Sequence, residues 1–92
     1  MDKILVVDDE RSMRDFLSIM LKKAGYDVTT AVDGDEAVKI LHKDIFDLVI
    51  TDLKMPKVDG LQVLKTVKEL SPDTVVIVIT AFASTETTVE AM

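Results

Sequence analysis

The sequence predicts an α/β fold, a doubly wound parallel sheet covered by helices on both faces. Short β-rich runs alternate with amphipathic segments of helical length along the chain, as expected for strand-helix-strand units. Three of the runs are continuously apolar, which is typical of strands buried on both faces. With 48% hydrophobic and 30% charged residues, the 92-residue chain is expected to form one globular domain, residues 1–92.

The first half of the chain alternates strand, helix, strand and helix. Lys3–Val7 (KILVV) has strand length, and apolar residues recur every three or four positions over residues 11–24, the spacing of a helix face. Residues 27–32 (DVTTAV) form a short β-branched strand, and a second helix follows Gly34 and ends at Lys43. The residues predicted to face the core are Met13, Phe16, Leu17, Met20, Leu21 and Ala24, then Ala37, Val38 and Leu41.

The second half repeats the alternation. Residues 47–51 (DLVIT) form a buried strand ending in Asp52, and a loop then leads to a helix over 61–70. Residues 74–80 (TVVIVIT) are the most strand-like run, and a fourth helix is expected from Ser84 or Thr85, as its N-cap, to the last residue. The third helix is predicted to turn Leu61, Val63, Leu64 and Val67 towards the core.

Polar side chains gather at the ends of three of these strands. Asp8 and Asp9 follow the first strand, Asp52 follows the third and Thr80 closes the fourth. Open α/β sheets bind ligands at the carboxyl ends of their strands. Clustered carboxylates raise one another's pKa values unless a cation lies among them, and Mg²⁺ prefers oxygen ligands. We therefore expect a magnesium site; the alternative is that these acids lie on loops and cap helix N-termini.

Asp52 also has the chemistry of a nucleophile. A carboxylate that attacks phosphorus forms an acyl phosphate; the alternative is a metal ligand without chemistry. The Thr80 hydroxyl could donate to a phosphoryl oxygen, although β-propensity alone explains a threonine there. The chain has no cysteine, which removes disulfides and thiolate metal sites. It also lacks glycine-rich nucleotide-binding motifs.

Charge and hydropathy limit the partners. A net charge of −6 argues against direct nucleic-acid binding. No apolar run approaches the ~20 residues of a membrane span, and the first residues lack the features of a secretion signal, so a cytoplasmic protein is expected.

Three motifs carry a resemblance over the whole chain. VVDDE, DLVITDLKMPKVDG and VVIVITAFAS resemble the receiver domain of two-component response regulators. MPKVDGLQVLK and TAFASTETTVEAM are similar to the nitrogen-regulation-type transcriptional activators among them. The resemblance implies a flavodoxin-like fold with strand order 2-1-3-4. It also implies phosphorelay signalling and transcription regulation rather than enzymatic turnover.

The resemblance further implies a role for each site residue. Asp52 would be the phosphoacceptor for a sensor histidine kinase, and Asp9 a direct Mg²⁺ ligand. Asp8 would act through a water, and the backbone carbonyl of Lys54 would complete the protein ligands. Thr80 would be the switch hydroxyl that moves towards the phosphoryl group and alters protein-protein contacts.

The family pattern continues into a fifth strand and helix, which this sequence lacks. The expectation is a truncated receiver domain with the fourth strand as an apolar edge and uncovered sheet beside the first helix. Such a chain should form a homo-oligomer or a domain-swapped dimer and should be phosphorylated poorly. Two alternatives stay open: a truncated or engineered fragment that only self-associates, and an aspartyl-phosphate phosphatase.

Overall fold

The computed structural model describes residues 2–52 and 60–79 in full and the main chain of residues 89–91. The elements are β1 (Lys3–Val7), α1 (Arg11–Lys23), β2 (Asp27–Ala31), α2 (Gly34–Lys43), β3 (Leu48–Asp52), α3 (Gly60–Leu70), β4 (Val75–Ile79) and β5 (Val89–Ala91). None of the helices in these ranges combines the length and the apolar character that a bilayer span requires.

The sheet has the order β2-β1-β3-β4-β5, and its first four strands are parallel. The predicted α/β class and the order 2-1-3-4 are therefore confirmed. Val7 pairs with both Ala31 and Thr51, and Asp52 pairs with Ile79. Because the registers align in this way, the carboxyl ends of β1, β3 and β4 lie level at one edge.

The strand β5 corrects two expectations. Val89–Ala91 is a strand antiparallel to β4, so the predicted fourth helix does not extend to the last residue. Residues 77–79 of β4 pair with it, so the fourth strand is not the open edge that was expected along that part. Unpaired main-chain groups of an apolar strand favour pairing, and this long-range gain outweighs the local helix signals. The predicted helix start at Ser84 or Thr85 lies outside the described residues.

The hydrophobic core lies between the sheet and the helices α2 and α3. Along β3 and β4, every second residue is buried on the core side, and the residues between them point to the opposite face of the sheet, as the two-residue period of a strand requires. The core consists of Leu5, Val7, Ala31, Ala37, Leu41, Phe46, Val49, Val63, Val67, Val76 and Val78. Leu61, predicted to face this core, is instead 58% exposed at the start of α3.

The predicted core face of the first helix is wrong for four residues. Met13, Phe16 and Met20 are 38%, 60% and 46% exposed, Ala24 just after α1 is exposed as well, and no residue of α1 is buried. Helix α1 packs on β1 and β2, and among the described elements it makes no contact with β3 or β4. Periodicity identifies the apolar face of a helix, but it does not show whether another element covers that face.

Lys3 organises the amino-terminal end of the sheet. Its ammonium forms an ion pair with Asp44 and lies 5.3 Å from the centre of the Phe46 ring. Its backbone N–H donates to the Asp47 carboxylate at 2.8 Å. The buried Thr74 hydroxyl donates to the Phe46 carbonyl and lies 2.8 Å from the Ser71 hydroxyl. These contacts connect β1 to the segments that precede β3 and β4.

Candidate functional site

Three carboxylates meet at the carboxyl edge of the sheet. Asp8, Asp9 and Asp52 each offer one carboxylate oxygen, and these oxygens lie within 4.8 Å of one another. Asp8 and Asp52 are half-buried and Asp9 is exposed. They line a cleft of about 200 Å³ together with Glu10, Met13 and Ile79. Within the described residues, no other three His, Asp or Glu side chains converge in this way.

Strand register explains why residues 44 positions apart meet. Val7 pairs with Thr51 in adjacent parallel strands, so the next residues, Asp8 and Asp52, stand level at the strand ends. The N–H of Asp8 donates to the carbonyl of Ala31 at 3.2 Å, which extends the β1–β2 ladder by one residue. Asp8 is therefore held by the sheet, whereas Asp9 lies in the turn that follows.

The turn between β1 and α1 holds two more polar groups of Asp8. The N–H of Glu10 donates to Asp8 Oδ1 at 2.9 Å, and the Arg14 guanidinium donates to the Asp8 carbonyl at 2.8 Å. The Ser12 hydroxyl donates to the Glu10 carboxylate at 3.2 Å. Short side-chain to backbone bonds of this kind fix a turn locally.

The electrostatics of the cluster disfavour the ionised form of Asp8. Burial raises the pKa of the Asp8 carboxyl; the N–H of Glu10 opposes this, and the charges of Asp52, Asp9 and Glu10 add to it. A cation among these carboxylates would reverse the repulsion. Three carboxylates in a half-open cleft are the oxygen donors that a hard divalent ion such as Mg²⁺ binds, so the donor set fits that ion.

Lys54 and Thr80 both lie outside the described residues, so their roles stay predictions. The sequence analysis missed Arg14 and its contact with Asp8. The available signal was an arginine near the start of a helix, where the macrodipole disfavours positive charge.

The comparisons with known proteins agree with this fold. Residues 4–92 match the family of response regulator receiver domains. The chain belongs to this family. The resemblance expected from its motifs is thus confirmed, and the chain is a receiver domain of two-component signalling.

Curated relatives include full-length regulators and single receivers. The receiver domain is 42% identical over 89 residues to the transcriptional regulatory protein ZraR of Salmonella typhimurium, covering 97% of this chain and 20% of ZraR. It therefore spans about a fifth of that relative's length. It is 39% identical over 84 residues to the response regulator receiver protein CpdR of Brucella abortus, covering 91% of this chain and 70% of CpdR.

Solved structures show the same fold. The response regulator TrrA of Thermotoga maritima, solved in complex with Mg²⁺ and BeF, is 40% identical with a TM-score of 0.84, over 90% of this receiver domain and 72% of TrrA. A CheY-like receiver domain protein of Methanospirillum hungatei is 29% identical with a TM-score of 0.87, over 92% and 68% of the two chains.

Proposed function

We propose that Asp52 accepts a phosphoryl group and that residues 1–92 act as a Mg²⁺-dependent switch domain. The observation that carries this proposal is the convergence of the Asp8, Asp9 and Asp52 carboxylates at the carboxyl edge of the sheet. Of the three, only Asp52 ends a central strand, so the sheet holds its main chain while its side chain lines the cleft.

Receiver domains of response regulators take their phosphoryl group from histidine kinases, and a sensor histidine kinase is the proposed donor here. A carboxylate oxygen of Asp52 attacks phosphorus, and an O–P bond forms as the N–P bond of the phosphohistidine breaks. The electron pair of that bond returns to the imidazole nitrogen. The product is an acyl phosphate on Asp52.

Asp9 would hold Mg²⁺ directly, with Asp52, the backbone carbonyl of Lys54 and, through a water, Asp8. The ion supplies positive charge that stabilises the phosphoryl oxygens during transfer. Asp8 is suited to a supporting role, because its N–H, its carbonyl and one carboxylate oxygen are already hydrogen-bonded. Asp9 is the more exposed carboxylate and is accessible to an ion arriving from solvent.

The output would be a change of protein-protein contacts led by the Thr80 hydroxyl. The similarity to ZraR supports a place in a cytoplasmic transcriptional regulator. The receiver domain itself would not bind nucleic acid, given its net charge of −6. Self-association is proposed through the exposed apolar residues of α1 and the start of β4, because Phe16, Met20 and Val75 are all exposed.

The test is the intact mass of the protein after incubation with acetyl phosphate and Mg²⁺. The expected result is the slow addition of one phosphoryl group that hydroxylamine removes, and its loss in Asp52→Asn. Asp73→Asn, at an exposed aspartate after α3, is the matched control and should be labelled like the wild type. Equal labelling of Asp52→Asn would contradict the proposal. Turnover of a phosphomonoester with release of phosphate would point to a phosphatase instead.

A further inference from the structure

We infer that Arg14 is a positioning residue of the metal site: its guanidinium holds the main chain of Asp8, and this fixes the Asp8 and Asp9 carboxylates opposite Asp52. The inference rests on the proposed function for its consequence, which is Mg²⁺ affinity. The underlying contact belongs to the protein itself and can be tested without metal.

Arg14 reaches the site from the first turns of α1. Its guanidinium donates to the Asp8 carbonyl at 2.8 Å, and its N–H donates to the Glu10 carbonyl at 3.1 Å. Arg14 is half-buried over the turn, whereas the Arg11 side chain, one helical turn earlier, is 85% exposed. A half-buried, charge-assisted hydrogen bond to a main-chain carbonyl is a stronger constraint than a solvated surface contact.

The position of Arg14 is unfavourable for the helix alone. Helix α1 has no acidic residue in its first turn, and its N-cap residue, Glu10, makes no side-chain capping bond. A cation near a helix N-terminus is opposed by the macrodipole. Arg11 offsets this through a surface ion pair with Asp15 at 3.6 Å. Arg14 instead places its guanidinium at the chain segment that carries Asp8 and Asp9. The unfavourable interaction with the helix dipole is therefore offset by the hydrogen bond to the Asp8 carbonyl.

The contact completes the restraint of Asp8. The N–H of Asp8 is bonded to β2, one carboxylate oxygen accepts from Glu10, and the carbonyl accepts from Arg14. Asp9 follows that carbonyl directly, so the Arg14 bond also limits where the Asp9 side chain can begin. Residues that orient metal ligands in this way raise affinity by fixing the ligands before the ion arrives.

The main test compares Mg²⁺ affinity in Arg14→Met, Arg14→Lys and Arg11→Met, measured from backbone amide shifts of residues 8–10 during a Mg²⁺ titration. Arg14→Met should weaken Mg²⁺ binding about tenfold, the usual effect of losing a residue that orients metal ligands. Arg14→Lys keeps the charge and the aliphatic stem, so it should recover part of the affinity. Arg11→Met removes the same charge from the same end of α1 and should leave the affinity within about twofold.

A second measurement separates positioning from general stability. In EDTA, Arg14→Met should speed hydrogen exchange of the Glu10 amide, which is bonded to Asp8, and leave the amides of β3 unchanged. Wild-type affinity and unchanged Glu10 exchange in both Arg14 variants would overturn the inference. Equal losses of affinity in Arg11→Met and Arg14→Met would also overturn it, because the loss would then not depend on the contact between Arg14 and the Asp8 carbonyl. If the wild type does not bind Mg²⁺, the proposed metal site fails, while Glu10 exchange still decides the role of Arg14.

Discussion

Acidic residues lie at both ends of the parallel sheet, but the two ends differ in how these carboxylates are paired. At the amino end, Asp44 and Asp47 are held by Lys3, through its ammonium and its backbone N–H. At the carboxyl end, Asp8 and Asp9 stand beside Asp52, and within the described residues no lysine or arginine forms an ion pair with Asp8 or Asp9.

The pKa shifts record this difference. The pKa of Asp44 is lowered, chiefly because the Lys3 side chain donates a hydrogen bond to it, whereas the pKa of Asp8 is raised, chiefly by burial. Acids that carry their own cation stabilise the fold. The burial and neighbouring charges that raise the pKa of Asp8 cost stability, and a perturbed carboxyl in a cleft is typical of a functional site.

The largest expected effect is the stabilisation of the carboxyl end by Mg²⁺. If the carboxylates bind the ion only in the folded state, Mg²⁺ at 100 times its dissociation constant should raise the free energy of unfolding by about 2.7 kcal/mol. Urea denaturation with and without Mg²⁺ measures this. Asp52→Asn should lose most of the gain, and Asp47→Asn, at the amino end, should keep it. Equal stabilisation of both variants would show that Mg²⁺ acts elsewhere.

At the amino end, Thr74→Val should destabilise the fold by about 1–3 kcal/mol, because it removes the donor to the carbonyl of the buried Phe46. Urea denaturation measures the loss, and the response to Mg²⁺ should be unchanged.

Thr66→Val is the matched control for this change. Thr66 is also buried, but its hydroxyl donates at 2.9 Å to the Gln62 carbonyl one turn earlier in the same helix. A helix carbonyl at that position retains its main-chain partner, so the substitution should cost less. A larger loss of stability for Thr66→Val than for Thr74→Val would contradict the claim that the hydrogen bond from Thr74 to the Phe46 carbonyl is the more important of the two.

A smaller effect of opposite sign is expected for Asp8→Asn at neutral pH without metal. The raised pKa means that the folded state binds a proton more tightly than the unfolded state, so wild-type stability should rise as pH falls through that pKa towards 3.8. Asp8→Asn removes the charge and retains an oxygen that can accept from Glu10. It should stabilise the protein by about 0.5–1 kcal/mol, the size of a partly exposed charge interaction.

Thermal or urea denaturation in EDTA from neutral to acidic pH measures the effect of Asp8→Asn, with Asp73→Asn as the control. The advantage of Asp8→Asn should shrink as the solution becomes acidic. Destabilisation at neutral pH would indicate that the Asp8 charge has a partner and would weaken the contrast between the two ends.

The two ends also show which features of the fold and site could be predicted from the sequence. The meeting of Asp8 with Asp52 followed from topology alone, because parallel strands bring their carboxyl ends to one edge. The strand at Val89–Ala91 did not, since its gain comes from pairing with residues 77–79 of β4, far from any local pattern. The contact of Arg14 with the Asp8 carbonyl depends on one side-chain direction, which residue spacing does not specify.

The smallest expected effect is a pH dependence at the amino end. The pKa of Asp44 lies below its ordinary value of 3.8 because the side chain of Lys3 and the N–H of Ile45 donate to it. A lowered pKa gives stability that is fully present above pH 3.8 and is lost as pH falls through the folded-state pKa. Asp44→Asn should therefore be slightly less stable than the wild type at neutral pH and equal to it in strong acid.

Because Asp44 is exposed, salt should shrink the difference at neutral pH. A difference that persists in acid and in high salt would mean that the effect does not depend on the charge of Asp44, and the amino end would then lose its part in the electrostatic contrast between the two ends.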